Sequence, residues 1–539
     1  MKCQIRTIAY TFILSILLIS CGGSSGVLST PIENIDSSPI KVSKLTESEL
    51  NTWSHRDLLN DTIPGMSVDK AYKKIIKGKK GEPVIVAVID SGIDIDHEDL
   101  DDVLWTNTDE IPNNGKDDDN NGYVDDIHGW NFVGEGYNEQ LEFVRLLASG
   151  DTSNPRFKEA ESEYTKEFQK YSGYKTQYDQ IFQQVSNADN AVAKALGKNE
   201  YTLEDVNGIQ TQDQSLQQSV AIVKYVYSLD AKSVPSFLEE IESGLIEIND
   251  MLNYHLNKSL NGRKTGDNPD DLNDNFGYGN NNPRPVSENE SHGTHVTGII
   301  AAERNNNLGI NGVANNVQIM AIRSTPNGDE YDKDVANAIR YAADNGAKVI
   351  NGSFGKSYSP HSEWVRDAIK YAADKDVLIV MSAGNDSKNV DVSPSFPNDA
   401  IGTGPEVSDN FLLVGSITHD YGSDMVSSFS NYGKINVDVF APGSEIYSSL
   451  PNNDYGLKGG TSMAAPNVAG VAALIRSQYP NLSASQVKRI IMDSGLPIKA
   501  KVTVGENKEV KSFSDISRSG KIVNAYNALI LASQIANSK

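Results

Sequence analysis

Val84-Ile85-Val86-Ala87-Val88-Ile89 runs without a polar break into Asp90-Ser91-Gly92-Ile93-Asp94. A short apolar run of this kind, closed by turn-forming residues, reads as a strand buried on both faces. Working outward, similar runs stand at 317–322, at 349–350 entering Ser353, at 377–380 and at 411–414. Between them, residues 332–345 place Val335, Ala338, Ile339 and Ala342 at helical spacing, and residues 363–374 repeat the pattern with Val365, Ile369 and Ala372. Alternating strands and helices predict an α/β fold: a parallel sheet with helices on both faces and its active site beyond the carboxyl ends of the strands.

The 539 residues, 38% of them hydrophobic, suffice for one large domain with insertions or for two or three ordinary ones. A formal net charge of −24 argues against a nucleic-acid partner, which requires a basic face. Lys2 and Arg6 precede an apolar stretch at 8–19 that has the length of a secretory leader and is short for a membrane span. It ends Leu18-Ile19-Ser20-Cys21 and is followed by Gly22-Gly23-Ser24-Ser25, which resembles a bacterial lipobox. That resemblance implies cleavage before Cys21, lipidation of its thiol and an extracytoplasmic, membrane-anchored protein; an ordinary cleaved leader is the alternative. The two cysteines, Cys3 and Cys21, leave neither a disulfide framework nor a cysteine nucleophile.

The chain therefore divides into a leader (1–20), a polar tether and lead-in with one helical stretch (21–80), the first part of the α/β domain (81–135), an insertion (136–262) and the rest of the domain (263–539). The insertion is rich in Glu, Gln, Lys, Tyr and Asn and lacks strand-like runs, while Leu238, Ile241, Leu245, Ile248 and Leu252 recur at helical spacing. It is expected to be a helical subdomain.

Ser462 lies in Gly459-Gly460-Thr461-Ser462-Met463-Ala464-Ala465-Pro466, ahead of a helix of small residues. Serine at a helix start either caps the helix or presents a nucleophile where amide groups point outward. A nucleophile needs a base and a group to orient that base. None of the eight histidines follows Ser462, so the order Ser, acid, His of an α/β-hydrolase is excluded. His292, in Ser291-His292-Gly293-Thr294-His295-Val296-Thr297-Gly298, opens an apolar helix. With His295 it could instead bind a metal, although no carboxylate lies between the two as in H-E-x-x-H sites. Asp90, at the end of a strand, is either a turn residue or the acid that orients an imidazole.

Together these three segments resemble the subtilase family over about 81–104 and 291–496. The resemblance implies a subtilisin-like sheet and a serine endopeptidase that hydrolyses protein or peptide substrates, with Asp90, His292 and Ser462 as catalytic triad. By the same resemblance Asn385, in Ser382-Ala383-Gly384-Asn385, supplies the side-chain donor to the oxyanion, and Ser353-Phe354-Gly355 pairs with the substrate backbone; Phe354 alone would equally suit the core.

Two features depart from the family pattern. Asp90 and His292 stand 202 positions apart, which makes room for the insertion and for a possible protein partner of it. The intervening Asp117-Asp118-Asp119-Asn120-Asn121-Gly122-Tyr123-Val124-Asp125-Asp126 has the alternating oxygens and turn glycine of a calcium loop, with Asp117, Asp119, Asn121 and Asp126 as candidate ligands of a structural calcium; a solvated acidic turn is the alternative. The Glu of an EF-hand is replaced by His128, so closure falls to Asp125 or Asp126. A second acidic cluster spans 267–282 without calcium-loop spacing. Residues 21–80 are mostly polar where subtilases carry a folding propeptide. The rival of another class is a surface binding protein on an inactive peptidase fold.

Overall fold

The computed structural model describes residues 41 and 43–538; the leader and Cys21 lie outside the described residues. The strands, in chain order, are β1 (Val84–Asp90), β2 (Gly129–Asn131), β3 (Val317–Arg323), β4 (Val349–Gly352), β5 (Leu378–Ser382), β6 (Phe411–Ile417), β7 (Val439–Pro442), β8 (Ile446–Leu450), β9 (Asp454–Lys458), β10 (Leu496–Pro497), β11 (Lys501–Val504), β12 (Glu509–Ser512) and β13 (Lys521–Ile522). Nine of them form one sheet in the order β10-β13-β7-β6-β5-β4-β1-β3-β2, parallel except for the β10 edge. β1 lies between β4 and β3 and is buried almost throughout, as its unbroken apolar run requires.

From β1 the chain moves one way along the sheet to β3, then the other way to β4 and β5. Helices Asp332–Asp344 and Ser362–Asp374 connect β3 to β4 and β4 to β5 and pack on each other, while helix His292–Ala301 connects β2 to β3 and rests on β1 and β3. Helix Thr461–Gln478 packs against helix His292–Ala301 and crosses β4 to β7. It tolerates this burial because its residues are small: Ala464, Ala465, Ala469, Gly470, Ala472 and Ala473 all lie inside.

The insertion is helical: Glu142–Ser149, the forty-residue Phe157–Leu196, Leu203–Asn207, Gln214–Ser228 and Val234–Asp250, the last ending in a wider turn Met251–His255. It has a small core of its own around Val185, Val192, Val223 and Val226. At its root Phe143, Val144, Ala160 and Leu256 pack with Tyr358 of the sheet domain.

The lead-in is more than a tether. Trp53, Leu58, Met66, Val68, Ala71 and Ile76 are buried in the main core, and the Ala525 N–H of the last helix donates to the Met66 carbonyl. Enough apolar residues recur among the polar ones to dock the segment, although no single run of them is long.

Candidate active site

Asp90 ends β1, so its carboxylate emerges at the carboxyl edge of the sheet, 1% exposed. Oδ1 accepts from the Ser91 N–H at 2.7 Å and lies 2.7 Å from His292 Nδ1. His292 is the first residue of its helix, and that helix start is clamped onto the turn after β1. The Gly293 N–H donates to Ser91 Oγ at 3.0 Å and the Asp94 N–H to Thr294 Oγ1 at 2.9 Å. A Cβ at position 293 would stand 2.6 Å from the Ser91 carbonyl oxygen, closer than atoms pack, so glycine permits the approach.

Sequence reasoning missed what locks this junction. Arg323, opposite Asp90 in the β1–β3 register, is fully buried; its Nε donates to Glu290 Oε1 at 2.6 Å, and its other N–H groups reach the Gly134 and Gly136 carbonyls. Glu290, two residues before His292, also accepts from the Gly92 and Val286 N–H groups. The available signal was a charged residue ending the apolar run 317–322.

Ser462 is the second residue of helix Thr461–Gln478. Its hydroxyl donates to the Ser353 carbonyl at 3.1 Å, and the Ser353 hydroxyl donates to the Ser462 carbonyl at 2.8 Å. The second bond has a local cause. Pro466, four residues on, has no N–H to give the Ser462 carbonyl, which is thereby left for a side chain. Asn385 lies beside this helix start: its Oδ1 accepts from the Thr461 N–H at 2.8 Å and from Thr461 Oγ1 at 2.9 Å. With the oxygen so engaged, Nδ2 is turned outward, 3.5 Å from where a Gly460 Cβ would stand. The Met463 N–H bonds to the Gly460 carbonyl, which leaves the Ser462 N–H open between two engaged neighbours.

His295 does not join His292 in a metal pair. It is fully buried, its Nε2 lies 3.1 Å from the Gly456 carbonyl, and burial drives its imidazole down to about 3, so it stays neutral. Of residues 353–355, Ser353 is buried against Ser462, Phe354 packs partly on the core, and Gly355 is exposed. Phe354 thus combines the core role with a place beside the site.

In the acidic loop, Asp119 and Asp126 come together with Glu110, which the sequence reading missed; their oxygens lie within 4.8 Å of one another. Such a set of hard oxygen donors fits calcium. Asp117 instead accepts from the Asn121 and Gly122 N–H groups, and Asn121 accepts from the Tyr123 N–H. Asp125 accepts from the Asn114 and Gly115 N–H groups and stands outside this set. The second acidic cluster holds an internal cation: buried Lys333 Nζ lies 2.7 Å from Asp267 and 2.9 Å from each of the Asn268 and Asp274 carbonyls.

Residues 81–514 match the model of the subtilase family. This chain belongs to the subtilase family. Over 207 residues this subtilase is 41% identical to a thermophilic serine proteinase of Bacillus sp. (strain AK1), a stretch covering 38% of this chain and 47% of that protein. It is 37% identical over 237 residues to thermitase of Thermoactinomyces vulgaris, covering 44% of this chain and 78% of thermitase. Subtilisin DY of Bacillus licheniformis is 37% identical over 203 residues, 38% of this chain and 69% of that protein. The chain thus spans about half the length of the first of these relatives. Among the described residues of this subtilase no helix is long and apolar enough to cross a membrane.

Proposed function

We propose that this subtilase is a serine endopeptidase that cleaves peptide bonds of extracytoplasmic proteins through Asp90, His292 and Ser462. The observation that carries the reading is the 2.7 Å contact between buried Asp90 and His292, whose helix packs against the helix that Ser462 opens beside Asn385. On substrate binding the Ser462 hydroxyl leaves the Ser353 carbonyl and gives its proton to His292 Nε2 as its oxygen attacks the peptide carbonyl. Asn385 Nδ2 and the Ser462 N–H then hold the developing oxyanion. Asp90 keeps the proton of His292 on Nδ1 and stabilises the imidazolium, which protonates the leaving amine. Water repeats the steps on the acyl-enzyme and restores Ser462.

Three finer assignments belong to the same proposal. Cys21 carries a lipid that anchors the protein outside the cytoplasm. A structural calcium is held by Glu110, Asp119 and Asp126; it braces the loop after β1 and takes no part in the chemistry. Residues 353–355 pair with the substrate backbone as an added strand.

The test compares the parent with Ser462→Ala in casein hydrolysis and in labelling by a fluorophosphonate. Labelling and hydrolysis that both vanish in the variant support the triad. A folded parent that neither labels nor hydrolyses casein defeats it.

A further inference from the structure

The insertion reaches the residues that directly follow the proposed substrate-binding segment. Ser353 is tied in both directions to Ser462. Three residues later, Lys356 is held just as firmly, and by a different part of the molecule. Its backbone pairs with Phe396 through two 2.9 Å bonds. Its ammonium, 1% exposed, reaches Glu142 of the insertion at 2.8 Å, the Glu330 carbonyl at 2.7 Å and Asp332 at 3.0 Å. Residues 354 and 355 are strung between these two anchors, and the N–H and C=O of Gly355 meet no hydrogen-bond partner among the described residues.

The grip of the insertion extends further. Arg156 donates to the Ser357 carbonyl at 2.8 Å and stacks 3.6 Å over the Tyr358 ring, whose hydroxyl donates to Glu163 at 2.8 Å. Arg145 pairs with Glu142 and donates to the Asp329 and Glu330 carbonyls at 2.9 and 3.1 Å. Glu142, Arg145, Arg156 and Glu163 all come from the insertion, and none has a part in the acyl-transfer steps. Burying Glu142, Lys356 and Arg145 together away from water is costly, and the ion pairs are a weak source of stability once that cost is counted. What such a cluster does well is fix the position of what it holds.

We infer that the helical insertion is a positioning element for substrate binding: through Glu142 and Arg156 it holds the far end of residues 353–355, so that a peptide long enough to pair with them is bound only as well as that anchor is kept. The inference rests on the proposed role of residues 353–355. Glu142 and Arg156 are positioning residues, acting through Lys356, Ser357 and Tyr358.

The test uses the full chain with Glu142→Gln, Arg156→Met and Lys356→Met, two substrates and one label. The substrates are succinyl-Ala-Ala-Pro-Phe p-nitroanilide, which spans the segment, and N-acetyltyrosine ethyl ester, which does not; the label is a fluorophosphonate. With Glu142→Gln, KM for the tetrapeptide should rise about tenfold while its kcat, the ester rate and the labelling rate stay within about twofold. Arg156→Met should move KM the same way by a smaller factor. Should Lys356→Met fail to fold, Arg156→Met still decides, because that side chain is 38% exposed. Equal losses on both substrates, or an unchanged tetrapeptide KM in folded variants, overturn the inference. A parent that the fluorophosphonate does not label overturns the peptidase reading itself.

Discussion

At position 293 one methyl group is too much. The Cβ of alanine would meet the Ser91 and Gly92 carbonyl oxygens at 2.6 and 2.9 Å, so the start of the histidine helix would have to move away from Asp90. Gly293→Ala is expected to lower kcat more than it raises KM, since the displaced contact is the one between the proposed acid, Asp90, and the proposed base, His292. Asn385→Ala should lower kcat by about 10²–10³ and leave KM nearly unchanged, because in the proposed mechanism its amide meets charge that exists only in the transition state; steady-state kinetics on a peptide anilide would measure both. Asp90, His292, Ser462 and Asn385 could be singled out as candidates because each sits in a local pattern of strand end, helix start or turn. Glu290 and Arg323 were not, because 33 positions separate them and a lone charge at a strand end looks like a solvated one. Glu290→Gln leaves the Arg323 charge buried and unpaired, so it should cost about 3 kcal/mol or more in denaturant unfolding.

At the scale of elements, hydrophobic pattern located β1, β3, β4, β5 and β6 and the helices between them, because burial on both sheet faces demands unbroken apolar runs. Polar clusters were harder to read. Composition cannot tell an acidic loop awaiting a metal from one already holding an ammonium, and Lys333, which fills the second cluster, lies more than fifty positions beyond it in sequence. On the proposed calcium site of Glu110, Asp119 and Asp126, a chelator should lower the unfolding temperature, and Glu110→Gln should remove most of that response. A second element-scale effect depends on pH. Burial raises Asp438, beside Glu406, Lys488 and Arg518, to about 6. Its folded form keeps a proton that the unfolded chain sheds near pH 4, so its contribution is full below about pH 4 and lost as pH rises to about 6. Asp438→Asn retains an oxygen for the Leu413 N–H and cannot ionise. Its unfolding temperature should exceed that of the parent above pH 6, with the gap closing below about pH 4.

For the molecule as a whole, the matched stretch 81–514 is smaller than the folding unit. The lead-in buries Trp53, Leu58 and Met66, and Lys70 lies over the ring of Tyr526 in the last helix. A chain begun at Gly81 would expose that surface. It is expected to aggregate or to unfold many degrees below a chain begun at Ser43, as thermal unfolding would report. The polar composition of 21–80 concealed this, since docking needs only a few well-placed apolar side chains.

The position of β1 also sets a clock. Both of its neighbours, β3 and β4, are encoded more than two hundred residues downstream, beyond the whole insertion. At a synthesis rate of about 5–20 residues per second, the first strand waits on the order of tens of seconds before either partner exists. During that interval the insertion, with its own small core, is free to fold, whereas the apolar strand that ends in Asp90 has nothing to pair with. A newly made chain thus stays open at its centre until late, and the proposed catalytic residues are brought together only after most of the chain has been made.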